Sequence, residues 1–280
     1  MEVSETTGVR RASYPVSVPV RSQHVPLSHR KVRVLLEGTP LPVQVDAAPA
    51  EYERGTYLVD FHADFRPFQS RRFRIRFGDG VQGSPLPEQG HVLQETGDHF
   101  LIVNAPYLTW KIPRNLSGLL TSMNFPPCEH IRKGGAGLYL VDRTGNRTPV
   151  GGKDARAAVL RRGPSVVHLR FSRKHSRPTG LVSQVDLIFP VTRSWVEVVH
   201  RVVQVKKFTV KDQRCGLRCG FASAEENPAL KETIQAMLCG ETVIHGATLW
   251  FLGDDVYGQA DVLVRCDNHA SDLRNFTIGS

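Results

Sequence analysis

The sequence of 280 residues has few of the features that define membrane and secreted proteins. No apolar run is long enough to span a membrane as a helix, and the first 30 residues carry arginines and prolines where a secretory leader needs an apolar core. The five cysteines are odd in number and scattered, which argues against a disulfide framework. We therefore expect a protein that is cytoplasmic as given, and secreted or periplasmic if an upstream leader is missing.

Several well-known catalytic motifs are absent as well. No Gly-x-Ser-x-Gly elbow, P-loop or His-Glu-x-x-His motif occurs, which disfavours the enzyme classes that require them. The stretch GDGVQG, residues 78–83, matches the glycine spacing of a dinucleotide loop. The two prolines of the following SPLPEQG prevent the helix that such a loop needs. We interpret the stretch as a plain β loop.

The composition is that of a folded, basic protein. Hydrophobic residues make up 40% and charged residues 22%, values that are far from those of disordered chains. The net charge of +9 favours acidic partners, such as polyuronates, sulfated or phosphorylated glycans, nucleic acids and anionic membrane surfaces. Charge alone does not choose among them.

Polar and apolar residues alternate along most of the chain, which predicts a mostly-β fold. The clearest hairpin joins Lys31–Leu36 to Leu41–Val45 through the turn Glu37-Gly38-Thr39-Pro40. Only the segment that follows Asn227 has the pattern of a helix. Residues 78–97, rich in glycine and proline, place a domain boundary near residue 90, and the strand spacing beyond it is typical of a sandwich of antiparallel sheets.

One strand concentrates positive charge. Arg72, Arg74 and Arg76 alternate with apolar residues, so we expect the guanidiniums on one face and the apolar side chains on the other. A guanidinium fork suits carboxylate or sulfate, although charges on a wet strand face also keep sheets soluble. Of the three tryptophans, Trp110 is expected to be the exposed ring, able to stack on a sugar.

A second polar strand carries Asp60, His62 and Asp64 at a spacing of two residues. Two carboxylates and an imidazole on one face suit a divalent cation, but the sequence offers no fourth ligand. A solvated polar face is the favoured interpretation. No cofactor is expected, a divalent cation being the one candidate.

The order of these segments resembles a known family. The stretches YPVSVPVRSQHVPLSHRKVRVLLEGTPLPVQV, ERGTYLVDFHADF and RRFRIRFGDG look like the N-terminal RIFT-type barrel of exo-rhamnogalacturonan lyase-like proteins. LIVNAPYLTWKIPRNLSGLLTSM, VLRRGPSVVHLRF and VDLIFPVTRSWVEVVHRVV are similar to the β-sandwich that follows it there. The resemblance covers about residues 14–205 and implies a small barrel over residues 14–90, followed by a sandwich like the central domain of polysaccharide lyases and no C-terminal α/α toroid. We assign the sandwich to residues 91–280, including the one short helix.

The resemblance implies a protein that binds or acts on acidic polysaccharide or oligosaccharide, with a toroid supplied by a separate domain or protein. Lyase chemistry, β-elimination on a uronic acid, would need a charge neutraliser and a base. Arg74 and Arg76 are candidates for the first role, and His175 and His200 for the second. Two alternatives stay open: a binder of nucleic acid or phosphate surfaces, and a structural or assembly module without ligand.

Overall fold

The computed structural model describes most of the chain up to residue 204 and shorter segments beyond it. The described residues are 1–23, 25–104, 108–125, 128–129, 131–141, 147–176, 181–192, 195–204, 214–221, 244–245, 248–249, 259–265 and 276–279. Within these ranges the only helical element is a 3-10 turn at His29–Lys31, so the mostly-β prediction is confirmed. The helix predicted after Asn227 lies outside the described residues. None of the described helical segments is long and apolar enough to cross a membrane.

The chain divides into two compact units. The first comprises Met1–His91 together with Leu160–Val167 and Pro190–Arg193. Its N-terminal part contains β1 (Glu2–Ser4), β2 (Arg11–Arg21), β3 (Val32–Leu36), β4 (Thr39–Leu41), β5 (Gln44–Ala47), β6 (Thr56–Phe65) and β7 (Ser70–Phe77). These strands form two antiparallel sheets, ordered β1-β7-β3-β4 and β2-β6-β5.

The core of the first unit is built from the apolar side of each strand. Phe61 and Phe65 are four residues apart on β6 and therefore lie on the same face of the strand. Both pack against Phe73 of β7, and their ring centroids are 5.0 Å and 6.4 Å from that of Phe73. All three rings are buried. The remaining buried members of this cluster are Val16, Val20, Leu27, Val32, Val34, Val43, Val59 and Ala63.

The predicted hairpin forms, but its turn is shorter than the predicted Glu37-Gly38-Thr39-Pro40, because Thr39 and Pro40 already belong to β4. β3 and β4 are joined by Glu37 and Gly38, whose φ angles of 53° and 88° are those of a two-residue turn that matches the twist of the strands. The second strand differs from the prediction: it ends at Leu41, and Gln44–Ala47 pairs with β6 instead. Pro42 separates the two segments, because proline cannot donate to a ladder.

The glycine-rich segment after β7 belongs to the first unit. The N–H of Ser84 donates to the carbonyl of Val32, and that of Val43 donates to the carbonyl of Pro85. A Cβ on Gly83 would lie 2.3 Å from the carbonyl oxygen of His29, so this glycine allows a close backbone approach. No helix occurs in residues 78–91, which confirms the interpretation of GDGVQG as a plain β loop.

The second unit comprises Val92–Val159, His168–Phe189 and Ser194–Ser280. The strands that follow residue 91 are β8 (Val92–Glu95), β9 (His99–Asn104), β10 (Leu108–Pro113), β11 (Ser122–Phe125), β12 (Cys128–Glu129), β13 (Ile131–Val141), β14 (Arg147–Pro149), β15 (Arg156–Arg162), β16 (Val166–Lys174), β17 (Leu181–Pro190), β18 (Trp195–Gln204), β19 (Arg214–Phe221), β20 (Ile244–His245), β21 (Thr248–Leu249), β22 (Gln259–Arg265) and β23 (Phe276–Gly279). They form sheets ordered β12-β11-β10-β9-β8, β14-β13-β19-β22 and β15-β16-β17-β18-β23-β21-β20. The assignment of the two units to a RIFT-type barrel and a lyase-like sandwich stays a prediction.

Trp110 lies in the core of the second unit, so the expectation of an exposed ring is wrong. Its side chain is 1% exposed and packs edge-on against Phe189, with ring centroids 5.5 Å apart. Leu108 and Ile112, on the same side of β10, are buried as well. The alternation of β10 therefore directs the indole inward, where its large apolar area is removed from water.

Replacing Trp110 by alanine should lower the free energy of unfolding by about 3–5 kcal/mol, because the substitution leaves a large cavity in the core. The matched control is Val92→Ala, an exposed residue of the same unit, which should change stability by less than about 0.5 kcal/mol. Urea denaturation followed by circular dichroism measures both changes. Equal unfolding midpoints for the two variants would contradict the packing described above.

Candidate functional site

The arginines of β7 lie where the alternation predicts. Arg72, Arg74 and Arg76 are exposed, the side chain of Arg72 to 87%, while Phe73 between them is buried. One face of the strand therefore carries the buried Phe73, and the other face carries three exposed guanidiniums.

Strand pairing widens this cationic surface. In the antiparallel ladder of β3 and β7, Arg33 lies opposite Arg76 and Leu35 opposite Arg74. Side chains directly opposite each other point to the same face of a sheet. On the other side of β7, β1 places Glu2 opposite Arg72. We call this surface the arginine face; its members are Glu2, Arg33, Leu35, Arg72, Arg74 and Arg76.

The positive charge of the arginine face is only partly compensated. Glu2 pairs with Arg72, with 3.0 Å between Oε2 and Nε, and Arg33 donates to the side chain of Gln82 at 2.8 Å. Arg74 and Arg76 form no ion pair with any residue in the described part of the chain. Four guanidiniums against one carboxylate leave three positive charges in excess, and like charges opposite each other destabilise a ladder.

A groove runs along this face. It has a volume of about 880 Å³, and its lining includes Glu2, Leu35, Glu37, Gly38, Arg72 and Arg74. Glu37 is itself paired with Arg71, at 3.3 Å. The groove thus combines an apolar contact, Leu35, with the guanidinium of Arg74, a combination suited to a ligand that carries both a carboxylate or sulfate and an apolar surface.

The strand with Asp60, His62 and Asp64 does not form a cation site. Asp60 is buried and contacts the guanidinium of Arg161, so the interpretation of a solvated face is wrong at this residue. Asp64 is exposed and accepts a hydrogen bond from the N–H of Ser13 at 2.6 Å. Among the described residues no group of three or more histidines, cysteines and carboxylates is placed to hold a metal ion.

Asp60 is buried against Arg161, which belongs to the segment Leu160–Val167 of the same unit. Arg161 of that segment also pairs with Asp46, at 3.2 Å. Burial lowers the pKa of the Arg161 guanidinium, while Asp46 acts in the opposite direction. The pairing joins residues more than a hundred positions apart, and no local pattern of the sequence predicts it.

Gln44 fixes the same segment to the first unit. Its buried side-chain oxygen accepts hydrogen bonds from the N–H groups of Ser165 and Val166, at 2.8 Å and 2.9 Å, and its nitrogen donates to the carbonyl of Val166 at 3.0 Å. A Cβ on Gly163 would lie 2.1 Å from Cδ of Gln44, so only glycine leaves room for the amide. Gln44 and Arg161 are therefore structural residues.

The second unit contains a charge cluster that the sequence did not reveal. The buried carboxylate of Asp186 accepts two hydrogen bonds from Arg170, at 2.6 Å and 2.8 Å, and one from Arg201 at 2.6 Å. Burial acts to raise the pKa of Asp186, but hydrogen bonds from His168, Arg170 and Arg201 lower it by more. The pKa of Asp186 therefore lies well below its usual range. Asp186 is thereby a fixed negative charge that orients two guanidiniums.

The two histidines considered as bases are both buried in the second unit. His175 is 2.8 Å from the hydroxyl of Ser183, and burial lowers its pKa. Burial also lowers the pKa of His200, to about 3, with a further contribution from His175. A catalytic base must reach its substrate, and neither ring is open to one. We therefore do not include them in the proposed function.

Comparisons with known proteins concern the fold. No family model and no curated protein matches the sequence. Among solved structures the chain is similar to a protein in the glycosyl hydrolase family 38 from Enterococcus faecalis, with a TM-score of 0.50 and 11% identity over 79% of this chain and 33% of that one. An alpha-mannosidase from Enterococcus faecalis V583 matches with a TM-score of 0.48 and 10% identity, over 78% and 31% of the two chains. The chain thus spans about a third of the length of these structures. The resemblance to exo-rhamnogalacturonan lyase-like proteins stays a prediction.

Replacing Gln44 by leucine should destabilise the protein by at least about 2 kcal/mol, because two N–H groups and a carbonyl lose their buried partners. The control is Gln89→Leu, at an exposed position of the same unit, with an expected change below about 0.5 kcal/mol. Urea denaturation gives both values. If Gln44→Leu is as stable as the wild type, the amide does not hold the segment Leu160–Val167.

Mild acid should destabilise the protein through its buried histidines. Burial lowers the pKa of His91 to about 4, although the carbonyl of Pro190 acts against it, and the pKa values of His175 and His200 are also lowered. The ordinary value is 6.5, so the unfolded chain binds protons that the folded chain does not. Stability should be complete above about pH 6.5 and should fall as the pH decreases to about 4, the pKa of His91 in the folded protein.

Urea midpoints measured across this range test the expectation. His200→Asn should flatten the profile, since one of the titrating groups is removed. A wild-type profile that is flat between these pH values would show that the histidines are not buried in their neutral form.

Proposed function

We propose that this protein binds an acidic polysaccharide or oligosaccharide through the arginine face of its first unit. The observation that carries the proposal is the excess charge of Arg74 and Arg76. Both are exposed, Arg74 lines the groove, and neither has an ion-pair partner in the described part of the chain. Repulsion between neighbouring guanidiniums lowers the stability of the sheet, and a bound anion would offset this repulsion.

The spacing of the arginines suits a ligand with repeated charge. Alternate residues of a strand are about 6.5–7 Å apart, so the Cα atoms of Arg72, Arg74 and Arg76 form an equally spaced row that carries the three guanidiniums. A chain of uronic acids presents carboxylates in the same repeated manner, and each guanidinium can bind one carboxylate with two hydrogen bonds. Leu35 offers an apolar contact to the C–H surface of a sugar ring.

The similarity of fold to part of a glycosyl hydrolase family 38 protein supports a carbohydrate-related role, since that fold is one that occurs within a carbohydrate-active protein. The burial of His175 and His200 favours binding over catalysis by these units. If β-elimination occurs, a separate toroid domain or protein would supply the base.

The test compares two variants of equal net charge. The triple variant Arg72→Gln, Arg74→Gln, Arg76→Gln removes three charges from the arginine face. Its control, Arg10→Gln, Arg30→Gln, Arg54→Gln, removes three exposed arginines of the same unit that lie outside its strands. Calorimetric titration with polygalacturonate should show at least about a tenfold loss of affinity for the first variant, equivalent to about 1.4 kcal/mol, and less than about a twofold loss for the control.

Three outcomes would overturn the proposal. Equal losses for both variants would mean that binding follows net charge alone. Equal affinity for neutral dextran would mean that carboxylates are not recognised. Tighter binding to duplex DNA, with affinity falling linearly in log-log form as salt increases, would assign the face to nucleic acid. Absorbance of unsaturated uronate in the same samples detects any lyase activity.

A further inference from the structure

The most exposed large apolar side chain of the described residues is Phe68, in the turn between β6 and β7, at 72%. Its backbone is also unusual, with a φ angle of 57° in the left-handed region. Bulky residues with a side chain seldom adopt this conformation, and such strain persists only where the surrounding structure imposes it. A strained backbone that holds an aromatic ring in solvent calls for a physical cause.

The cause is a buried carboxylate beneath the turn. Oε2 of Glu5 accepts hydrogen bonds from the N–H groups of Phe68, Gly8 and Val9, at 3.1 Å, 2.8 Å and 3.2 Å. Oε1 accepts from Thr7. The Thr7 hydroxyl is the main cause of the lowered pKa of Glu5, about 2, with burial acting against it. Glu5 therefore joins the turn to the segment that follows β1.

The turn is closed by further bonds. The N–H of Gln69 donates to the carbonyl of Arg66 at 3.1 Å, and the side chain of Gln69 accepts from the N–H of Arg66 at 2.9 Å. The ring of Phe68 rests on Gly8, where a Cβ would lie 2.6 Å from Cζ. Only glycine leaves room for the ring here, so the ring is confined on the side of Gly8 and is open to solvent elsewhere.

We propose that Phe68 is a stacking platform for the apolar face of a pyranose ring, forming an additional subsite for the acidic glycan. The inference rests on the proposed function. A rigid ring loses little conformational freedom when a ligand stacks on it, and an aromatic face attracts the polarised C–H groups of a sugar.

The surroundings of Phe68 fit a carbohydrate better than a protein. Its neighbours Arg66, Pro67 and Ser70 are exposed, and Val9, beside Gly8, is exposed as well, so the apolar area around the ring is small. A stable protein interface needs a much larger contiguous area, whereas a sugar ring needs one aromatic face and nearby polar groups. Arg66 supplies such a group at the edge of the platform.

The platform and the arginine face lie within reach of one ligand. Phe68 lies two residues before Ser70, the first residue of β7, and Arg76 is the penultimate residue of that strand. Eight residues of extended chain span at most about 26–29 Å. An oligosaccharide of several residues can therefore contact both, which predicts that affinity increases with chain length until both are occupied.

The experiment uses the full chain and oligogalacturonates of increasing length, with affinity measured by calorimetry. Phe68→Ala should weaken binding of the longer oligomers about fivefold or more, and Phe68→Trp should retain it and show a change of fluorescence on binding. Phe68→Gly should lose affinity as well, yet unfold at the same or a higher urea concentration, because glycine relieves the positive φ. The control is Tyr52→Ala, an aromatic residue 47% exposed in another turn of the same unit.

The outcomes separate this inference from the proposed function. If the arginine-face variant loses binding and the Phe68 variants bind as the wild type does, the platform is wrong and the proposed function stands. If Phe68→Ala alone loses binding, the platform stands and the arginine face is wrong. Unchanged affinity in every variant overturns both. Loss of self-association in Phe68→Ala, with sugar affinity unchanged, assigns the ring to a protein contact and also overturns the platform.

Discussion

The packing of Phe73 between Phe61 and Phe65 fixes which face of β7 is wet. A slip of one residue in the register of this strand would turn three arginines into the core and expose the phenylalanine, so the hydrophobic core enforces the register strongly. The position of the arginine face is therefore a consequence of aromatic packing on the opposite side of the strand. A binding surface made in this way is held by a strand rather than by a loop, which limits the motion of the backbone that carries its side chains.

Several carboxylates of the described residues are buried, whereas the arginines of β7 are exposed. Glu5, Asp60 and Asp186 are buried and receive hydrogen bonds or ion pairs from within their own unit. These carboxylates bind backbone N–H groups and guanidiniums of the interior, where an unpaired charge would be strongly unfavourable. The positive charge of β7, in contrast, remains at the surface, where it is available to an external anion.

The backbone is restrained in two different ways at the two parts of the proposed binding site. The arginine face is rigid because its strand belongs to an antiparallel sheet, whereas the Phe68 turn is rigid because Glu5 holds several N–H groups at once. Both devices reduce the conformational entropy that a ligand would otherwise have to remove on binding. Cationic and aromatic contacts on one continuous segment of chain also favour an extended ligand over a compact one.

The sequence by itself determined the mostly-β class, the turn at Glu37 and Gly38 and the outward direction of the arginines, because alternation and turn chemistry act between residues that are close in the chain. It did not determine the burial of Trp110, the pairing of Asp60 with Arg161 or the strain at Phe68. A strand looks the same in sequence whether its second face meets water or another layer, and only the assembled layers decide this. Partners more than a hundred positions apart are likewise selected by packing, since no local preference distinguishes one distant residue from another.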